Sequence, residues 1–373
     1  MTAEARVLRL ARIAALVILA LTLVELARQA ASPGRIDFVA FWAAAKLAVA
    51  GDPVAAWDMT AHRAAQGQYG PQAGVLPFAN PPPFLLLILP LGALPYLAGL
   101  PAWLAATLPA YLAAARPLFE DRRGLWLAAA FPPVLVNAAI GQAAFVTAAL
   151  FVGGLILAER RPFAAGVLLG ALVIKPHLAV LIPFALLAGG RWRMIAGAAL
   201  SSLCLLLAAL LAFGPDAYAG FLDGLPFFAR GAAEGQAGWH KMASLYALFR
   251  SLGLPAWLAW TGHVLAALAG TAVAVAAWRG KGPARAPLLA AASAMIPPYI
   301  YAYDLLILIV SFAWLLRAGF EERLPPWRLA LIALLWILPL AQLAVPLALA
   351  AAMAPVLLLL LVADRPSPSG SGQ

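Results

Sequence analysis

The sequence contains a single cysteine, Cys204, inside the apolar run SSLCLLLAALLAF. It therefore holds no internal disulfide and no cysteine cluster for a metal. Charge is scarce as well. Only 11% of the 373 residues are charged, against about a quarter in soluble domains, and a chain this poor in charge cannot cover a surface that faces water. No HExxH or paired His–carboxylate spacing offers a metal site, and no GxSxG elbow offers a serine nucleophile. The nearest approach to a phosphate loop, GKGPAR, lacks the Gly-x4-Gly-Lys-Ser/Thr pattern. The expectation is of no metal and no cofactor. Acidic residues are few, 15 against 25 Lys and Arg, which gives a formal charge of +10. A nucleic-acid binder would gather that charge on one face, and its distribution along the chain argues for a different origin.

Hydrophobic residues make up 65% of the chain. A bilayer crossing needs about 20 apolar residues, and candidate crossings fall near 10–30, 83–115, 124–140, 143–158, 163–176, 178–189, 194–213, 255–277, 286–301, 304–317, 327–343 and 346–362. The pattern predicts an all-α polytopic protein of about 12 transmembrane helices. The stretch 83–115 exceeds one straight crossing and carries Pro90, Pro95, Pro101 and Pro109, so it reads as a kinked helix or a helix pair. Seventeen of the 25 Lys and Arg fall in the seven segments that alternate to one side. By the positive-inside rule both termini are cytoplasmic, and the surplus charge is a topology signal. Arg6, Arg9 and Arg12 precede the first run without a small-x-small cleavage site, which reads as an uncleaved anchor.

Residues 1–362 are expected to form one transmembrane domain with two long outer loops, 31–81 and 214–254, and 363–373 (ending SPSGSGQ) a disordered cytoplasmic tail. The first loop reads as two short amphipathic helices about a Gly51–Pro53 turn, with Trp42, Trp57 and Tyr69 suited to the interface. No internal repeat is evident. At ~1.5 Å per helical residue, Lys175 lies roughly 21 Å from Arg161, and Asp304 roughly 20 Å from Arg317. Similar spacings place Asp37, Gln142, Lys175, His177, Tyr299, Tyr303 and Asp304 in the outer third of the core, and the expectation is that they converge in one cavity. Each has a plainer reading. Asp37 is equally an ordinary interfacial carboxylate. Lys175, before Pro176, marks a helix break and either snorkels or holds an anion in a cavity. Gln142 satisfies a turn; Asp304 caps a helix. His240 and Lys241 sit in an exposed loop, and His62 and His263 carry no pattern.

Taken together, several stretches resemble glycosyltransferase family 87, the polyprenyl-phosphate-sugar-dependent transferases with the GT-C fold. They are DFVAFWAAAKLAVAGDPVAAWD, NPPPFLLLILPLGALP, GQAAFVTAAL, AGVLLGALVIKPHLAVLIPFALLAGGRWR, WHKMASLYALFRSLG and PPYIYAYDLLIL. Asn80 stands where the family usually has Tyr before Pro-Pro, and Ala143 where Asn often follows Gly-Gln. The resemblance implies inverting transfer of a mannose-like hexose from a polyprenyl-phosphate donor to a lipid or glycan acceptor. The reaction would take place on the periplasmic face of the inner membrane, with membrane lipids around it and no nucleic acid. It implies Asp37 as general base and Lys175 or Lys241, with Arg250 third, as the cation facing the departing phosphate. His177, His240, Gln142, Asn80, Tyr299, Tyr303 and Asp304 complete the expected substrate contacts. A lipid-linked sugar flippase is the rival reading. It would place acidic residues near the bilayer midplane, where this sequence has none.

Overall fold

Prolines decide where the helices stop. The structure, a computed structural model, describes residues 3–68, 76–321 and 324–364, and among these every regular element is helical. An isolated antiparallel bridge, Met242 to Tyr301, is the exception. Helices follow from the composition, because in lipid each backbone N–H and C=O must be satisfied within its own segment. Five helices are long and apolar enough to cross a membrane: Glu4–Ala31, Tyr96–Leu118, Trp192–Phe213, Ala256–Arg279 and Ala302–Phe320. Arg122–Ala130 and Pro133–Ile140, bent by 63° at Phe131–Pro132, make a sixth if taken as one span. The 83–115 stretch is a pair, Pro82–Ala93 and Tyr96–Leu118, parted at Leu94–Pro95. Proline lacks the N–H of the helix ladder and pushes its predecessor out of the helical region. The remaining apolar segments are shorter helices, several of them bounded by proline.

The described residues fall into two compact units, one built from Met1–Ala179 and Trp192–Gly238, the other from Val180–Arg191 and Trp239–Gln373. At the heart of the first lies helix Phe38–Val49, whose residues Phe38 to Ala45 are all buried. The sequence reading of an amphipathic piece is corrected here, because a helix buried all round needs no polar face. Trp42 and Trp57 are likewise buried inside the protein. Trp42 Nε1 donates to Leu94 O at 2.9 Å, and Trp57 Nε1 to Asn80 O at 3.0 Å. Tyr69 lies outside the described residues, as does the tail from Arg365 onward.

Helix Pro162–Gly170 packs closely on Trp192–Phe213. A Cβ on Gly166 would fall 2.0 Å from Met194 O, and one on Gly197 2.2 Å from Phe163 O. Ser201 and Ser202 Oγ donate across the same seam to Val167 O and Gly170 O at 2.8 and 2.9 Å. Small residues with hydroxyl contacts are how helices associate where burial in lipid supplies no drive. Helix Pro215–Ala233 follows at Gly214 and is tied back by Tyr218 Oη to Leu206 O at 2.6 Å. Leu222, Leu225 and Phe227 are exposed on it.

The second short helix of the first loop, Met59–Gly67, is capped by Asp58, whose Oδ1 accepts from Thr60 and Ala61 N–H at 2.8 Å each. Gln66 clamps the returning strand of chain: its Nε2 donates to Leu76 O at 2.6 Å, and its Oε1 accepts from Leu76 N–H at 3.2 Å. Beneath this clamp His62 is fully buried against Phe78. Burial pushes its pKa down to about 4, with a smaller opposing pull from the backbone of Leu76. An unfolded histidine titrates near 6.5, so the unfolded loop binds the proton first. The loop is therefore fully stabilised above about pH 6.5 and loses roughly 3 kcal/mol as pH falls toward 4. With four histidines in the chain, ring NMR is expected to show the His62 signal, assigned by its loss in His62→Phe, staying neutral from pH 7.5 to 5. The acid-side fall in thermal stability should flatten in His62→Phe. A His62 titrating near 6.5 would remove this account.

The second unit is built on Ala256–Arg279, Arg285–Met295, Ala302–Phe320 and Met353–Ala363. Pro287 to Met295 are all buried, and Ser311 Oγ fastens the next helix to Pro287 O at 2.8 Å.

Candidate functional site

In the first unit Asp37 occupies the N-cap position of helix Phe38–Val49, yet its side chain makes no capping bond to that helix. Its Oδ2 accepts instead from Gln142 Nε2 at 2.9 Å, across 105 residues of sequence. The carboxylate is half-buried between Ile36 and Phe38, which are 8% and 0% exposed. Gln142 is more than the turn-filler of its plainer reading, since its amide reaches the acid that the resemblance singles out. The turn that presents it is organised by Asn137, which is fully buried. Asn137 O receives Gly141 N–H at 2.9 Å and Gln142 N–H at 3.3 Å, while its Oδ1 receives Ala144 N–H at 2.9 Å. One residue thus closes helix Pro133–Ile140 and opens helix Ala144–Leu157. Asn137 was missed in the sequence, although a lone polar residue four before a glycine (VNAAIG) is a helix-end signal.

Lys175 falls at the expected helix break. Helix Pro162–Gly170 tightens into a 3₁₀ turn, Ala171–Ile174, and Lys175 leaves the helical region at φ −147°, ψ 70° before Pro176. A second 3₁₀ turn, Pro176–Leu178, carries a half-buried His177. Lys175 itself is only 6% exposed, so it does not snorkel. Asn80, just before the triple proline, has its carbonyl fixed by Trp57.

In the second unit the two stretches WHKMASLYALFR and PPYIYAYD are stitched together. Ala243 N–H donates to Ile300 O at 2.7 Å, Ser244 Oγ donates to Pro298 O, and Met242 bridges Tyr301. Ser244 also accepts from Ala247 N–H at 3.1 Å to start helix Leu245–Ser251. His240 and the exposed Lys241 are thereby held one or two residues from the contact with Tyr301. Tyr301 and Tyr303 stack at 5.4 Å with planes 3° apart, and Tyr299 sits edge-on to Tyr246 and Trp260. Asp304 is 1% exposed within the 3₁₀ helix Ala302–Leu308, whose N-cap is Tyr301. The capping reading of Asp304 is therefore corrected: the N-cap position belongs to Tyr301, and Asp304 sits in the first turn as the third helical residue. Arg250 is engaged locally, with Nη1 donating to Leu254 O at 2.9 Å and its guanidinium 4.6 Å over the Trp239 ring. Ser244, Met242 and Trp239 carried no signal as singles in the sequence, because their roles are cross-chain. Among the described residues no three His, Cys, Asp or Glu side chains gather as a metal site would need.

Long apolar helices broken at prolines are those of a multi-pass membrane protein. Residues 78–298, more than half the chain, match the family model of glycosyltransferase family 87, and the protein belongs to that family. It is a membrane glycosyltransferase. The matched stretch includes Asn80, Gln142, Lys175, His177, His240, Lys241 and Arg250, whereas Asp37, Tyr299, Tyr303 and Asp304 lie outside it. No curated protein and no solved structure matches the chain.

Proposed function

We propose that the protein transfers a mannose-like hexose, with inversion, from a polyprenyl-phosphate donor to a lipid or glycan acceptor at the periplasmic face of the inner membrane. Asp37 is the general base. The observation that carries this reading is the Asp37–Gln142 bond, which holds a half-buried carboxylate that its own helix does not use. The acceptor hydroxyl attacks the anomeric carbon, its proton passes to Asp37, and the C–O bond to the polyprenyl phosphate breaks. The phosphate takes the electron pair and is met by a cation, first of all Lys175, which is buried at a break in its helix. Lys241 is the second candidate and Arg250 the third, although Arg250 already closes its own helix. Asn80, His177, His240, Tyr299, Tyr303 and Asp304 are proposed substrate contacts.

The topology proposed with it is a GT-C-like domain over 1–362 of about 12 crossings, with both termini cytoplasmic. Loops 31–81 and 214–254 are periplasmic and the tail 363–373 is cytoplasmic. Lysine and arginine placement supports that orientation, and proline breaks account for crossings shorter than one straight helix.

The test is purified protein in vesicles given polyprenyl-phosphate hexose labelled in the sugar, with hydroxyl-bearing lipid or glycan acceptors. A new glycosidic product and release of polyprenyl phosphate are expected. Movement of intact donor between leaflets without a new bond would instead establish the flippase.

A further inference from the structure

The turn between helices Pro133–Ile140 and Ala144–Leu157 does more than reverse the chain. Gly141 sits at φ 71°, in the left-handed region open to glycine. A Cβ there would fall 2.6 Å from Phe38 Cβ and 2.7 Å from Leu100 Cδ1. The turn is therefore pressed against the residue that directly follows Asp37. Gly99 also lies close against Phe38, where a Cβ would stand 3.2 Å from its ring. Gln142 is fixed at three further points. Its N–H donates to Asn137 O, its carbonyl accepts from Trp103 Nε1 at 3.4 Å, and its Oε1 accepts from Ala143 N–H at 3.4 Å. The bonds to Asp37 and to Ala143 agree on which way the amide faces. With Oε1 toward a backbone donor, Nε2 is turned to the carboxylate, which when ionised only accepts.

We infer that Asn137, Gly141 and Gln142 form a rigid elbow whose task is to orient the Asp37 carboxylate, so that Gln142 is a positioning residue acting through Asp37 and not a substrate contact. This rests on the reading of Asp37 as base. Holding Oδ2 fixes the carboxylate plane and hence the direction in which Oδ1 meets the acceptor hydroxyl. A base displaced by tenths of an ångström or rotated off line loses rate without losing substrate affinity. A residue that binds sugar or phosphate behaves in the opposite way, raising KM.

The experiment is Gln142→Met, equal in length but without a donor, assayed in the vesicle system alongside Asp37→Asn and the unaltered protein. Expected is a 10- to 100-fold fall in kcat, with KM for donor and acceptor within twofold of the unaltered protein. Binding of polyprenyl phosphate alone should be unchanged. Gln142→Asn, which keeps the amide one methylene short, is expected to give an intermediate kcat and serves if the Met variant does not fold. A raised KM with kcat intact in either variant overturns the inference and returns Gln142 to substrate binding. An unchanged kcat also overturns it. If Asp37→Asn turns over normally the base reading falls. If that variant is dead while Gln142→Met and Gln142→Asn keep full kcat, only the elbow falls.

Discussion

Asp37→Asn is expected to lower kcat by about 10²–10⁴-fold, the range that a positioned general base contributes, while leaving expression and thermal stability near those of the unaltered protein. The substitution is informative because it preserves the bond to Gln142. Asparagine has the same shape, and its carbonyl oxygen can accept from Gln142 Nε2 as the carboxylate does at 2.9 Å. The helix that follows loses no cap, since the Asp37 side chain supplies none. What disappears is the capacity to take up a proton. Initial rates of labelled-hexose transfer in vesicles, with melting temperature as a control for folding, give the comparison. Turnover within a few-fold of normal would sink the assignment.

The second large effect is expected at Lys175. Lys175→Gln removes the buried cation proposed to face the leaving phosphate, and a loss of about 10²–10³ in kcat/KM follows if that charge is stabilised only as the phosphate departs. Lys175→Arg should recover part of it. Lys241 is exposed, where a charge counts for less than at a buried site, so Lys241→Gln is expected to cost less than tenfold. Unchanged constants in Lys175→Gln, with a large loss in Lys241→Gln, would transfer the phosphate role to the second unit.

Much of the local architecture was legible in the sequence because proline acts locally. The breaks at Pro95 and Pro176 lie where the absent N–H and the constrained preceding residue require them. The two helices of the first loop were also legible, but the sequence placed Phe38–Val49 at the surface. The tryptophans of the loop suited an interface by sequence, whereas Trp42 and Trp57 each spend the indole N–H on a carbonyl from a distant segment, Leu94 and Asn80. Alternation of apolar and polar residues cannot reveal a partner that is tens of residues away. Asp304 failed as a cap for a related reason. Where a helix starts was set by the stitch between Met242–Ser244 and Pro298–Tyr301, one turn ahead of the aspartate.

Composition and spacing by themselves determined that this chain is helical and embedded in lipid, since sparse charge and long apolar runs leave the backbone no other way to satisfy its polar groups. They also brought Asp37, Gln142, Lys175 and Asp304 to one expected depth, while the proposed base and phosphate roles came from the family resemblance. Only the tertiary structure decided that Asp37 meets Gln142, that Lys175 is enclosed, and that Arg250 is occupied in its own turn. Those are facts about pairing and burial. They depend on which surfaces of separate helices come to face one another, a choice made by packing rather than by any residue's own preference.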